Sequence, residues 1–174
     1  ELGGVKRKLD EALKKEDGSA DKLAFELAAA NDEEAVELAL RALLAGGGEV
    51  QRAVLDGLAK NKDAKVVERV ARELRAATDA GKAALLARAL GALPGPAATR
   101  ALTLEADRRD GPGDAARLLL HALSHRPADE LAAVTSDLAR AAKHRAGLAA
   151  AHARDALAVS RGGSRQEATV PDDR

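Results

Sequence analysis

Residues 49 to 67 read EVQRAVLDGLAKNKDAKVV, and residues 85 to 102 read LLARALGALPGPAATRAL. The first stretch carries Val50, Val54 and Leu58, the second Leu86 and Leu90. A spacing of four places such residues on one helix face. Each stretch then breaks at a polar or Pro-Gly turn and restarts, at Asp63 and at Pro96, residue types that suit the beginning of a helix. The unit recurs outward in both directions. Leu27, Leu58, Leu90, Leu123 and Leu157 follow one another at gaps of 31, 32, 33 and 34 residues. Four residues before them stand Leu23, Val54, Leu86, Leu119 and Ala153, and one residue before them Glu26, Gly57, Ala89, Ala122 and Ala156. A period of this length marks one supersecondary unit copied five times, which must bury its apolar face on its neighbours.

Composition agrees. The 174 residues are 46% hydrophobic, yet Phe25 is the only aromatic and there is no Met or Cys. Ala and Leu must fill the core, and small, strong helix formers suit closely packed helices rather than a sheet. The 28 basic residues balance the 28 acidic ones, which leaves no basic excess of the kind a phosphate-backbone binder shows, so nucleic acid is not expected as a partner. Without cysteine there are no disulfides, zinc thiolates or thiol redox chemistry. That favours the cytoplasm while leaving export open. No run approaches the length of a membrane span, so no membrane insertion is expected. The chain begins at Glu1 without a Met or a signal-peptide pattern, as expected if a leader was removed or if this is a piece of a longer protein.

The breaks between periodic segments predict ten helices in five antiparallel pairs, an all-α solenoid over residues 1–160, followed by a disordered polar tail over 161–174. The first helix is expected over Val5 to Lys15, with Ser19 capping the second. Asn31 followed by Glu34 has capping-box spacing for the third. Gly46, Gly47 and Gly48 end that helix; Asp63 caps the next pair, and Thr78 or Asp79 its second member. Gly111, Pro112 and Gly113 stop the helix from Ala97 to Arg109, and Asp114 caps the one after. Pro127 opens a ninth helix with Leu131, Val134 and Leu138, and Gly147 separates it from a tenth ending near Ser160.

The stretch 49–67, with its acidic-Val-x-Arg start and its Asp-Ala link into the following helix, resembles a HEAT-type repeat, and residues 85 to 102 resemble it a second time. The short period is similar to the lyase-associated HEAT-like repeats of bacteria. The likeness covers residues 31 to 126 best. It departs from the pattern at Ala83 to Leu85, where the Val-x-Arg element fails, while Ala115-Ala116-Arg117 keeps the Arg. The resemblance implies a right-handed α-solenoid of HEAT/ARM-like helix pairs that serves as a non-catalytic scaffold for an unidentified protein partner. Three other readings compete: a HEAT-type nucleic-acid protein such as a repeat-built DNA glycosylase, a bilin lyase or its partner, and a supporting fragment of a larger enzyme. The first wants aromatics to stack on an extruded base and the second a chromophore pocket lined by aromatic and polar groups. Both kinds of residue are scarce here.

No residue set points to a reaction, a cofactor or a metal. His121 and His125 have the i, i+4 spacing of two metal ligands, but the intervening HALSH lacks the Glu of a zincin, and a solvated pair is the simpler reading. The triple glycine follows a helix and lacks the Lys-Ser/Thr of a phosphate loop. The candidate partner-binding residues come from two aligned columns. Two positions before the repeated leucines stand Phe25, Asp56, Arg88, His121 and Asp155; six before stand Asp21, Arg52, Ala84, Arg117 and Ala151. Positions four apart share a face, so Asp21, Arg52, Asp56, Arg88, Arg117, His121 and Asp155 are expected to form a charged ridge along the second helices. Phe25 is expected to fill a gap between the first two units, the alternative being an exposed anchor for a partner. The first helix has the polar outer face of a terminal cap. The last is apolar nearly all round and expects cover from the tail, a missing domain or a second copy of the chain.

Overall fold

The computed structural model describes residues 2–15, 17–108 and 114–163. Among them are eleven helices and no strand: α1 (Leu2–Lys15), α2 (Ser19–Ala29), α3 (Glu33–Ala45), α4 (Gly48–Leu58), α5 (Ala64–Ala76), α6 (Ala80–Ala92), α7 (Pro96–Arg108), α8 (Asp114–Ser124), α9 (Ala128–Ala132), α10 (Thr135–His144) and α11 (Gly147–Ser160). The helices pack in two rows. In one, α1 lies on α3, α3 on α5, α5 on α7, and α7 on α9 and α10. In the other, α2 lies on α4, α4 on α6, α6 on α8 and α8 on α11. Within each unit the two rows also touch, as in α1 with α2 or α10 with α11. The arrangement is all-α and consistent with a helical repeat. No helix among the described residues is long and apolar enough to cross a membrane.

The repeated columns make the core. Leu27, Val54, Leu58, Leu86, Leu90, Leu119, Leu123 and Ala153 are buried, and Leu23 and Leu157 are half-buried against the same cluster. On α1, Leu9 and Ala12 are buried, while Lys6, Arg7, Lys8, Asp10, Glu11, Lys14 and Lys15 are exposed, as a terminal helix requires. Helix α11 is covered by α8, α9 and α10. Phe25 is half-buried and stands outside the central cluster.

Helix starts follow the capping chemistry with three shifts of position, one of them at Asp114, which begins α8 rather than capping it. Asp63 accepts from the Lys65 N–H at 2.9 Å, and Asp79 from that of Lys82 at 2.8 Å, as expected. Asp32, not Asn31, caps α3, accepting from Glu34 at 2.8 Å and Ala35 at 3.2 Å. Its backbone is extended, and a carboxylate is the better partner for the positive end of the helix dipole. Ser19 does not cap α2 but begins it, donating from its N–H and its hydroxyl to Asp17 Oδ1. Gly18 makes the reversal there at φ 79°, a left-handed conformation open to glycine. The expected ninth helix is two helices. The Thr135 hydroxyl donates to the carbonyls of Ala132 (3.0 Å) and Leu131 (3.4 Å), and Val134 leaves the helical region at φ −121°. A hydroxyl bonding the preceding turn competes with helix continuation. Gly111, Pro112, Gly113 and the tail from 164 onward lie outside the described residues.

Two devices hold neighbouring units together. The first is close approach. A Cβ on Gly57 would lie 2.5 Å from the Phe25 carbonyl oxygen and 2.7 Å from Ala28 Cβ, so α4 seats directly on the backbone of α2. The second is a polar clamp from a turn onto the helix of the preceding unit. Buried Asn61 donates to the carbonyls of Ala28 (3.0 Å) and Ala30 (2.7 Å) at the end of α2, and accepts from the Asp63 N–H at 3.1 Å. Arg126 donates to Gly91 O at 3.1 Å on α6, and Arg145 donates to Ala106 O on α7. Each satisfies C-terminal carbonyls that the helix leaves without intrahelical partners. We expect Asn61→Ala to cost about 2 kcal/mol or more of stability, because it strands buried carbonyls. Gly57→Ala should cost about 1–3 kcal/mol, overpacking outweighing the roughly 1 kcal/mol gain in helix propensity. Gly48→Ala, with nothing within 4 Å of its Cβ, should be neutral or stabilising. Urea denaturation of the three variants measures the contrast, and equal effects of the two glycine changes would overturn it.

Candidate functional site

Charge is distributed differently on the two rows. On the first, cations meet carboxylates across units: Arg69 with Glu37 at 2.6 Å, Arg75 with buried Glu105 at 3.2 Å, and Arg140 with Asp107 at 3.6 Å. On the second, Arg117 meets Asp114 at 3.3 Å, between neighbours on one helix. The second row instead opens into a groove of about 730 Å³ between α6, α8 and α11. Arg88, Arg117, Arg126, His121, His125 and His152 line it, and among the described residues no carboxylate does. Its apolar lining comes from Leu118, Ala122, Leu148 and Pro127. The floor is tight, since a Cβ on Gly91 would meet Ala122 Cβ at 2.8 Å.

The candidate ridge is thereby divided. Arg88, Arg117 and His121 come together in the groove. Arg52 and Asp56 are exposed on α4. Asp21 lines a separate cavity of about 560 Å³ beside Gly46, Gly47 and Gly48. Asp155 is buried on α11, where it acts on His152 electrostatically from outside the groove lining. Three lining residues escaped the column reading. Arg126 sits in the turn after α8, His125 at the edge of that turn, and His152 on the next unit. Arg126 stands three positions after Leu123, as Asn61 stands three after Leu58, and that register was the available signal.

The three histidines form a chain. The rings of His121 and His125 are 4.6 Å apart, and those of His121 and His152 4.7 Å apart, each pair edge to face. His125 Nδ1 lies 2.9 Å from the His121 carbonyl oxygen, so its proton-bearing form donates there. Ser124 Oγ is 3.1 Å from the same nitrogen. This Ser–His contact is a local one: the hydroxyl donates to His121 O at 2.6 Å, and the side chain is buried under the turn. Among the described residues no group of three His, Asp or Glu has metal-binding geometry. His152 has its pKa lowered, first by burial and then by His121 and Arg117, with Asp155 opposing. Arg126 is likewise pushed down by burial, with Glu130 opposing. An arginine remains charged under such a shift, whereas His152 is held neutral near pH 7.

No known protein-family model matches the chain, and no curated protein matches its sequence. The groove is therefore read from its own chemistry. A histidine with a depressed folded-state pKa contributes stability that is fully present above its unfolded value, about 6.5, and is lost as pH falls through the folded one, because the unfolded chain takes up the proton first. We expect the stability difference between the wild type and His152→Gln to move against the wild type as pH is lowered from 7.5 to 5. Urea midpoints across that range measure it, and a pH-independent difference would overturn the assignment.

Proposed function

We propose that the chain is a non-catalytic scaffold that binds another protein through the row formed by α2, α4, α6, α8 and α11. In this reading the architecture is a right-handed HEAT-like solenoid of five helix pairs. The even spacing of the leucine columns, the two-row packing and the likeness of residues 49–67 and 85–102 to HEAT-type repeats support it. The observation that carries the binding reading is the groove lined by Arg88, Arg117, Arg126 and three histidines with no carboxylate. A groove lined by cationic side chains is complementary to an acidic segment and excludes basic ones. Nucleic acid is the weaker reading, because the positive lining is confined to one groove on a chain of zero net charge whose single aromatic is Phe25 on α2.

The test is direct. An extended Glu- and Asp-rich peptide should bind the full chain, with affinity falling as salt rises, while a Lys-rich peptide should not. Arg88→Glu combined with Arg117→Glu should abolish binding and leave the helical circular dichroism unchanged, since Arg88 is exposed and Arg117, half-buried, gives up only its surface pair with Asp114. A single-stranded oligonucleotide serves as the competing ligand. If it binds at the groove more tightly than the acidic peptide, the protein-partner reading fails.

A further inference from the structure

The groove carries more positive charge than a carboxylate needs. A single carboxylate is satisfied by one guanidinium fork. Here three arginines arrive from separate places, Arg88 from α6, Arg117 from α8 and Arg126 from the following turn, onto one cavity. Arg88 makes no ion pair or hydrogen bond among the described residues. Asp114 lies on Arg117 and Glu130 acts on Arg126, but neither carboxylate lines the cavity. Arg126 is held by its bond to Gly91 O, which fixes its guanidinium at the groove edge. The volume, about 730 Å³, is far larger than a bare ion fills and falls within the range of sites for small organic ligands. Leu118, Ala122 and Leu148 supply an apolar surface next to the cations.

We propose that this groove binds a phosphate monoester, its dianionic head among Arg88, Arg117 and Arg126 and its carbon skeleton on Leu118, Ala122 and Leu148. A phosphate monoester carries about −1.5 to −2 charge near neutral pH and three strong acceptor oxygens, which matches three convergent cations better than any single carboxylate does. The inference rests on the reading above for the location of the site, not for the nature of the partner. The ester is carried either by a free metabolite or by a phosphorylated side chain.

The histidines make this binding proton-coupled. His121 stands edge to face with both His125 and His152, and positive charge on His121 or His125 opposes a proton on His152. The charges acting on His152 come from His121, Arg117, Asp155 and His125. From the other elements around it, α6 brings Arg88, Glu130 of α9 acts on Arg126, and Arg140 of α10 is paired with Asp137 of its own helix and with Asp107 of α7. Lys143 and His144 of α10 are exposed. A dianion entering the groove favours the charged imidazolium, so the protein takes up protons from solvent as the ester binds.

Isothermal titration of the full chain at pH 7.5, where the ester is already dianionic, tests both parts. The probes are O-phosphoserine, a neutral peptide bearing one phosphoserine, and two controls: the same peptide unphosphorylated and a Glu-rich peptide of equal charge. Phosphorylated probes should bind, and titration in two buffers of different ionisation enthalpy should show net proton uptake that shrinks in His152→Gln. Arg88→Gln and Arg117→Gln should each weaken binding by about tenfold or more, the scale of a lost charge-assisted hydrogen bond. Binding of both phosphorylated probes identifies the free ester as sufficient; binding of the phosphopeptide alone places the ester on a protein. The proposal is overturned if neither phosphorylated probe binds, if the two arginine variants bind as the wild type does, or if no proton is taken up. Equal binding of the Glu-rich peptide also overturns it, while leaving the acidic-partner reading intact.

Discussion

The contact on which the rest of the stack depends is the seat of α4 on α2. At Gly57 the helices approach until a Cβ would stand 2.5 Å from the Phe25 carbonyl oxygen. Approach of that kind is available only to small residues, and Ala89 and Ala156 occupy the equivalent buried positions in later units. A core of Ala, Leu and Val contributes stability mainly through burial, at about 25 cal/mol per Å² of apolar surface. Alanine has little surface to bury, so the contribution must come from many close contacts rather than a few large side chains. Close packing also shuts water away from helix ends. The carbonyls of Ala28, Gly91 and Ala106 then need donors from the protein, and Asn61, Arg126 and Arg145 supply them.

Those clamps mark where sequence reasoning reaches and where it stops. The leucine columns were legible because burial repeats with the helix period, and Asp63 and Asp79 because their spacing to the next apolar run is that of a cap. The start of α3 was misplaced by one residue, since Asn31 and Asp32 are both good caps and only the extended backbone at Asp32 decides between them. The break between α9 and α10 was hidden. A Thr inside an apolar period reads as helix until its hydroxyl is seen on the Leu131 and Ala132 carbonyls. Asn61 and Arg126 share a register but not a chemistry, so no residue pattern exposes their common task.

The groove was half legible for a related reason. Arg88, Arg117 and His121 fall in the columns of the second helices and were found there. His125 and Arg126 lie where the helix gives way to the turn, and His152 belongs to the following unit. Their meeting depends on how closely α8 and α11 stack, which no spacing within a helix encodes. The same stacking separates Asp21, Arg52 and Asp56 from the others. A column of charges in an alignment is thus a set of positions on successive helices, and the local shape of the stack decides which of them share a ligand.

Charge matching separates the structural surface from the candidate site. On the first row Arg69, Arg75 and Arg140 each reach a carboxylate on a neighbouring helix, and buried Glu105 is flanked by Arg75 and Arg108. Pairs of that kind hold a stack in register and need no outside partner. In the groove arginines and contiguous histidines share one lining, and the carboxylates acting on Arg117 and Arg126, Asp114 and Glu130, are not among its described lining residues. At neutral pH burial favours the uncharged imidazole of His152. Like charges around it lower the stability of the empty protein as His152 protonates. An anion in the groove removes the same opposition. The feature that weakens the empty fold in acid is therefore the feature that makes an anionic ligand bind with a proton, and both follow from placing three imidazoles beside three guanidinium groups on a floor too tight to let them spread.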